Sequence, residues 1–228
     1  MKINIIGIRE GMMNVFKYCE KGDSIGLKLH LSSSSSSSPS FSTLSSSDIE
    51  TQLNFQREGT KETPLIYACL HGQTQIVNIL VNDSRVDVNL GDKYDSPPLY
   101  FACWNGTLEI VNLLLNNKKL DVNKRNKDGK TALMMASLRG FVNIVRVLLL
   151  RQDIDVFITD KFGKSTLDYA NDGYSKKERL ENQENLKGKV VNFQKVIDLL
   201  NDFLVYPEKV RRLNSEGKFF FFFQKEKT

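Results

Sequence analysis

Asp87, Asp121 and Asp155 stand 34 residues apart in a chain of 228 residues. A row of carboxylates could bind a cation or share proton transfer. General acid–base work, however, needs its groups within reach of a single substrate atom. Here each Asp closes a separate segment (VDVN, LDVN, IDVF), so each is expected to hold backbone amides in its own turn. The two histidines are no better placed. His30 and His71 lack a neighbouring nucleophile or carboxylate, and a lone histidine is a weak site signal. Three cysteines form an odd count without disulfide spacing. Cys69 and Cys103 each follow an alanine in the same context, where a small apolar residue is wanted, so they are expected as core thiols. There is no G-x-x-x-x-G-K phosphate loop, no G-x-S-x-G and no H-E-x-x-H. The sequence thus names no catalytic residue, no metal ligands and no cofactor, and the protein is not expected to be an enzyme.

What positions these residues is a repeat. TPLIYACLHG (63–72) returns as PPLYFACWNG (97–106) and TALMMASLRG (131–140). Leu65, Leu99 and Leu133 keep a 34-residue step, and so do Ala68, Ala102 and Ala136, and Gly72, Gly106 and Gly140. Each block is followed by a second, IVNILV, IVNLLL or IVRVLL. A fixed period of this length is the signature of stacked repeats. Within a unit, Leu and Ala three apart share a helical face, and the Gly marks where that helix stops in a left-handed turn. The second block carries a wide apolar stripe suited to a buried helix. The polar DKYD, NKDG and DKFG stretches are turn chemistry. Each unit therefore reads helix, tight turn, helix, projecting loop.

TPLIYA, PPLYFA, TALMMA and STLDYA (165–170) resemble the ankyrin signature T-P-L-H-x-A, and the likeness runs on through G-x-x-x-I-V-x-x-L-L and D-V-N over residues 62–170. Ile66, Tyr100, Met134 and Asp168 stand where the signature has histidine, and the period is 34 rather than 33. The resemblance implies an all-α ankyrin-repeat solenoid of stacked helix-turn-helix units with projecting loops. Residues 62–163 form three good repeats. Residues 1–31 read as a degraded capping repeat, with Gly22 matching Gly72 and Leu27 matching Val77. Residues 32–61 read as a Ser-rich disordered insertion and lead-in loop. Residues 164–203 read as a fourth repeat interrupted by GYSKKERLENQENLKGK, with Val196 matching Ile144 and about 18 residues inserted. Residues 204–228 form a basic tail with five consecutive phenylalanines, Phe219–Phe223.

By the same resemblance, partners meet the loop tips and the exposed face of the first helix. The loop-tip residues are Lys93, Tyr94, Ser96, Lys127, Lys130, Lys161, Phe162 and Lys164. The helix-face residues are Leu70, His71, Trp104, Asn105, Leu138 and Arg139. Large aromatics at positions the core does not require favour an interface, since Trp, Tyr and Arg are common anchors. The lysines among the tips would steer an acidic protein partner. Asp92, Asp95, Asp128 and Asp160 dilute the basic stripe, which argues against nucleic acid. Two alternatives go with this reading: a regulatory ankyrin subunit of a larger enzyme or signalling assembly, and recognition of anionic phosphate or lipid by the basic loops. INIIGI is too short for a signal peptide's apolar core and no run is long enough to span a bilayer, so a monomer in the cytoplasm or nucleus is expected.

Overall fold

The computed structural model describes residues 15–32, 46–180 and 187–205, and all regular structure among them is helical. The INIIGI stretch, most of the serine run and the phenylalanine tail lie outside the described residues. The chain divides into two compact units, Met1–Asp121 and Val122–Thr228.

The first unit holds α1 (15–21), α2 (Ser24–Ser32), α3 (Ser46–Leu53), α4 (Pro64–Leu70), α5 (Thr74–Asn82), α6 (Pro98–Asn105) and α7 (Leu108–Leu115). First helices pack on first helices (α4 on α6) and second on second (α2 on α5, α5 on α7). Leu65 and Leu99 are 1% exposed, and Ala68 and Ala102 are fully buried where the helices approach. The α1–α2 turn repeats the α4–α5 turn closely. Gly22 and Gly72 have φ +66 and +68, and the amides of Asp23 and Gln73 both donate at 2.9 Å to the carbonyl five residues back. Leu27 is fully buried. Cys19 thereby occupies the slot of Cys69 and Cys103.

The expected Ser-rich disordered insertion and lead-in loop over residues 32–61 needs correction. Ser32 is the last residue of α2, and Ser46–Leu53 is a helix. Ile49, Gln52 and Leu53 share one face of α3 and are all buried, so tertiary burial outweighs the polar composition of that stretch.

In the second unit, α8 (Ala132–Leu138) pairs with α9 (Val142–Leu149), and α10 (Thr166–Leu180) pairs with α11 (Lys187–Val205). α10 also packs on α8, and α11 on α9. The fourth repeat differs from the sequence expectation at both helices. Tyr174 stands where the earlier repeats have their helix-ending glycine, so α10 runs on to Leu180 instead of breaking at Gly173. α11 extends past the expected 190–203 and takes Leu204 and Val205 out of the tail. Val196 and Leu200 are buried as Ile144 and Leu148 are, and Phe193 is 1% exposed over two glycines. A methyl group at Gly173 would sit 2.5 Å from the Phe193 ring and 2.4 Å from the Leu138 carbonyl oxygen. Gly173 is thus what lets α10 approach the end of α8 and α11 seat on α10.

The D-V-N asparagines Asn89 and Asn123, and Asn54 of the segment before them, do work that the repeat pattern does not reveal. The Asn54 amide donates to the Arg85 carbonyl at 2.7 Å, while its oxygen accepts the Asp87 N–H at 2.7 Å. Asn89 does the same with the Lys119 carbonyl and the Asp121 N–H, at 2.7 and 2.8 Å. In the second unit Asn123 clips the Asp153 carbonyl and the Asp155 N–H. Each rung satisfies one donor and one acceptor of the next loop's backbone, groups that are costly to leave unpaired.

Candidate partner-binding surfaces

In the first unit, Tyr67, Leu70 and His71 share one face of α4, and Phe101, Trp104 and Asn105 share one face of α6. The two faces are tied: the Asn105 side-chain amide donates to the Leu70 carbonyl at 2.6 Å. Trp104 is 40% exposed, His71 is exposed, and Tyr67, Leu70 and Phe101 are half-buried. The Tyr67 and His71 rings lie 4.2 Å apart. On its other side Tyr67 meets Phe16 edge-on at 6.1 Å, and the Arg57 guanidinium lies 4.7 Å from Phe16 and 5.4 Å from Tyr67 while paired with Glu20. Neither α4 (PLIYACL) nor α6 (PLYFACWN) carries an acidic or basic side chain. Tyr67 and Phe101 were not among the residues singled out from sequence. They fill the x of the ankyrin signature, one turn before Leu70 and Trp104, and that spacing could have revealed them.

The loop before α6 exposes Lys93 and Tyr94, with Tyr94 57% exposed and the Lys93 ammonium 5.0 Å from its ring. Ser96 does not belong to this exposed row; it is 4% exposed. Its amide donates to Asp92 Oδ1 at 2.9 Å and its carbonyl accepts the Asp92 N–H, which pulls Ser96 into the base of the loop.

In the second unit the same loop is rebuilt on Asn126 and Asp160. Asn126 Oδ1 accepts the Asp128 and Lys130 amides, and Asp160 Oδ1 accepts those of Phe162 and Lys164. These anchors join Asp87 and Asp155, which accept the Asn89 and Phe157 amides as expected of turn aspartates. Asp160 also accepts the Tyr169 hydroxyl at 2.7 Å. Burial opposes its ionisation, yet the Tyr169 hydroxyl and the Lys164 and Phe162 amides hold its carboxyl below the usual range. Phe162 is 81% exposed at the tip, and Lys127 and Lys161 are exposed. Lys130 pairs with Asp128 at 3.2 Å, and Lys164 with Asp172 at 2.6 Å. Asp172 raises the Lys164 ammonium above its usual range. Half the lysines expected at these two tips are therefore partly neutralised by a neighbour. Leu138 is half-buried, and exposed Arg139 lies 5.8 Å from the Phe141 ring.

Other side chains with reactive potential are spoken for. Cys19, Cys69 and Cys103 are buried free thiols. Burial pushes Cys19 up to about 12 and the other two higher still, so none supplies a thiolate at neutral pH. His30 shares a hydrogen bond with Gln52 at 3.2 Å. Among the described residues no group of three or more His, Cys, Asp or Glu side chains could hold a metal ion, and no helix is long and apolar enough to cross a membrane.

The histidine substitutions in the signature have different outcomes. Met134 and Asp168 restore the returning bond: Met134 Sδ accepts the Thr131 N–H at 3.4 Å, and Asp168 Oδ2 accepts the Ser165 N–H at 2.8 Å. Ile66 has no acceptor to offer, and there the Thr63 hydroxyl alone caps the helix by accepting the Ile66 N–H.

No curated protein matches this chain. A family model described as ankyrin repeats (3 copies) matches residues 29–126, and a second, ankyrin repeats (many copies), matches residues 114–170. Ankyrin repeats are generally protein–protein interaction modules, and proteins built from them are typically non-catalytic. With the two models covering 29–170 and the same helix pair rebuilt at 34-residue steps, the chain belongs to the ankyrin-repeat family.

Proposed function

We propose that the chain is a non-catalytic interaction module whose principal docking surface is the α4/α6 face, joined by Tyr94 on the loop leading into α6. One observation carries this reading. Trp104 is 40% exposed on a pair of helices without a single charged side chain. Water is a poor neighbour for such a surface, and rigid aromatics lose little entropy when a partner covers them. The core does not need Trp104, because Leu99, Ala102 and Cys103 already fill the buried side of α6. In the second unit, Phe162 and the exposed Lys127 and Lys161 support contact with an acidic partner, acting on encounter rate more than on the lifetime of the complex.

The test is to capture partners by cross-linking, identify them, and remeasure affinity with variants. Trp104→Ala should weaken binding by about 2 kcal/mol, the threshold of a hot spot, while the unfolding midpoint stays put. Unchanged affinity would sink the reading, and so would loss of fold.

A further inference from the structure

We propose that the loop tips of the second unit, which carry Lys127, Lys161 and Phe162, dock on an anionic lipid surface, with the Phe157 and Phe162 rings entering its headgroup boundary. The inference rests on the reading that these tips meet an acidic partner, and it names that partner as a membrane rather than a protein. Three observations support it.

The loop between α9 and α10 leaves rings in water. Phe157 is 76% and Phe162 81% exposed, the two barest large apolar side chains among the described residues. The core needs neither, because Ile154 and Val156 fill the buried side of that stretch. A methyl group at Gly163 would meet nothing within 4 Å, so the backbone beside Phe162 faces open space. A ring on such a tip can enter a fluid boundary directly, whereas a protein would have to supply a pocket for it. Protein hot spots also favour Trp, Tyr and Arg, and Phe has no polar group to orient on a protein.

The charge around the rings suits anionic lipid. Residues 122–165 carry nine basic side chains against four acidic ones. Each of the four carboxylates is engaged within the unit. Asp128 pairs with Lys130 at 3.2 Å and Asp153 with Arg151 at 2.7 Å. Asp155 accepts the Phe157 N–H at 2.9 Å, and Asp160 is 5% exposed beneath its own loop. Lys127 and Lys161 are exposed. At a membrane surface, attraction of such lysines to anionic headgroups adds to the burial of apolar area.

The two tips form one preformed surface. The Lys161 N–H donates to the Asp128 carbonyl at 2.9 Å, and the Arg125 guanidinium donates to the Thr159 carbonyl at 3.0 Å. Asp160 Oδ1 holds the Phe162 amide at 2.8 Å. A surface ordered beforehand loses little freedom on docking.

The experiment sediments the full chain with phosphatidylcholine vesicles, with and without phosphatidylserine. Binding should require phosphatidylserine and fall about tenfold in Phe157→Ser/Phe162→Ser, which removes the apolar area. Lys127→Gln and Lys161→Gln should each weaken it about fivefold, one surface charge apiece. All four positions are exposed, so the circular dichroism of each variant should match the parent. Phe162→Trp should keep binding, and lipids brominated along their chains should quench its added emission. The parent, whose only tryptophan is Trp104, supplies the baseline. Vesicle binding unchanged by the loop substitutions would overturn the proposal and assign attachment to another part of the chain. Emission from Phe162→Trp that brominated chains leave untouched would overturn it too, as would glycerophosphoserine binding as tightly as vesicles. If vesicles fail while soluble poly-glutamate binds through Lys127 and Lys161, the lipid proposal falls and the acidic-partner reading stands. If poly-glutamate fails as well, both fall. Docking at the α4/α6 face is decided separately, by the Trp104→Ala affinity.

Discussion

The two units follow one repeat rule and depart from it in opposite places. The first unit departs at its surface. Its paired first helices are uncharged and aromatic, and it holds 11 basic against 13 acidic residues. Its loop turns place non-glycine residues at positive φ, Lys61 at +54 and Asp95 at +60. The second unit fills the same register position of its repeats with Gly129 and Gly163, and holds 21 basic against 14 acidic residues. Its departures lie towards its closing end, where Phe157 replaces the ladder asparagine of the third repeat and α10 of the fourth overruns its stop. Strained backbone gathers at functional sites, while a terminal repeat must only finish the stack. The proposed reading accordingly gives recognition chiefly to the first unit and closure to the second.

The strongest test of that division is at Phe193. Phe193→Ala should cost about 3–5 kcal/mol, because it empties the contact that seats α11 on Gly140 and Gly173. Denaturant unfolding followed by circular dichroism measures it. A loss well below 1 kcal/mol would mean that α11 is an accessory rather than the closing helix.

Tyr169→Phe is next. It removes a hydroxyl donated to an ionised carboxylate, a contact worth about 1.5–3 kcal/mol. Asp160 has a folded pKa below its unfolded value, so its contribution is complete above the ordinary carboxylate value of about 3.9 and fades as pH falls through the folded value. The gap between parent and Tyr169→Phe should accordingly be constant from neutral pH to about pH 5 and close in stronger acid. A gap independent of pH would show that Tyr169 stabilises by packing alone.

The ladder separates the units more finely. Asn89→Ala strands the Asp121 N–H and the Lys119 carbonyl and should cost about 1–2 kcal/mol, since water reaches part of the site. Phe157→Ala should change stability by less than about 0.5 kcal/mol, because Phe157 is 76% exposed. Equal losses at the two positions would erase the distinction between a ladder rung and its end.

The smallest effects come from the loop turns. Gly163 has φ +76 with open space around it, so Gly163→Ala isolates backbone strain and should destabilise by about 1 kcal/mol. Asp95→Gly relieves strain but frees the unfolded chain, so it should move stability by only a few tenths of a kcal/mol. If Asp95→Gly weakens partner binding while barely altering the melting midpoint, the first unit's strained loop belongs to its recognition surface.

The sequence by itself determined the repeat. The 34-residue recurrence of Leu, Ala and Gly sets which helix faces are buried, because a helix can hide only one stripe and the stripe must recur to stack. The turn aspartates Asp87 and Asp155 were legible for the same local reason, as Asp binds amides two residues on. What the folded structure decided is which side chains come within reach of one another, whether near or far in sequence. α3 forms in a serine-rich stretch because Ile49, Gln52 and Leu53 find a surface to bury against. Ser96 sinks into its loop because Asp92 holds its amide. Lys130 and Lys164 are partly neutralised because Asp128 and Asp172 lie within reach. Tyr67 and Phe101 join Leu70 and Trp104 in one face because α4 lies against α6. Periodicity specifies which side of a helix points inward; which outward side chains meet is set by the packing of one helix on the next, and no local pattern encodes it.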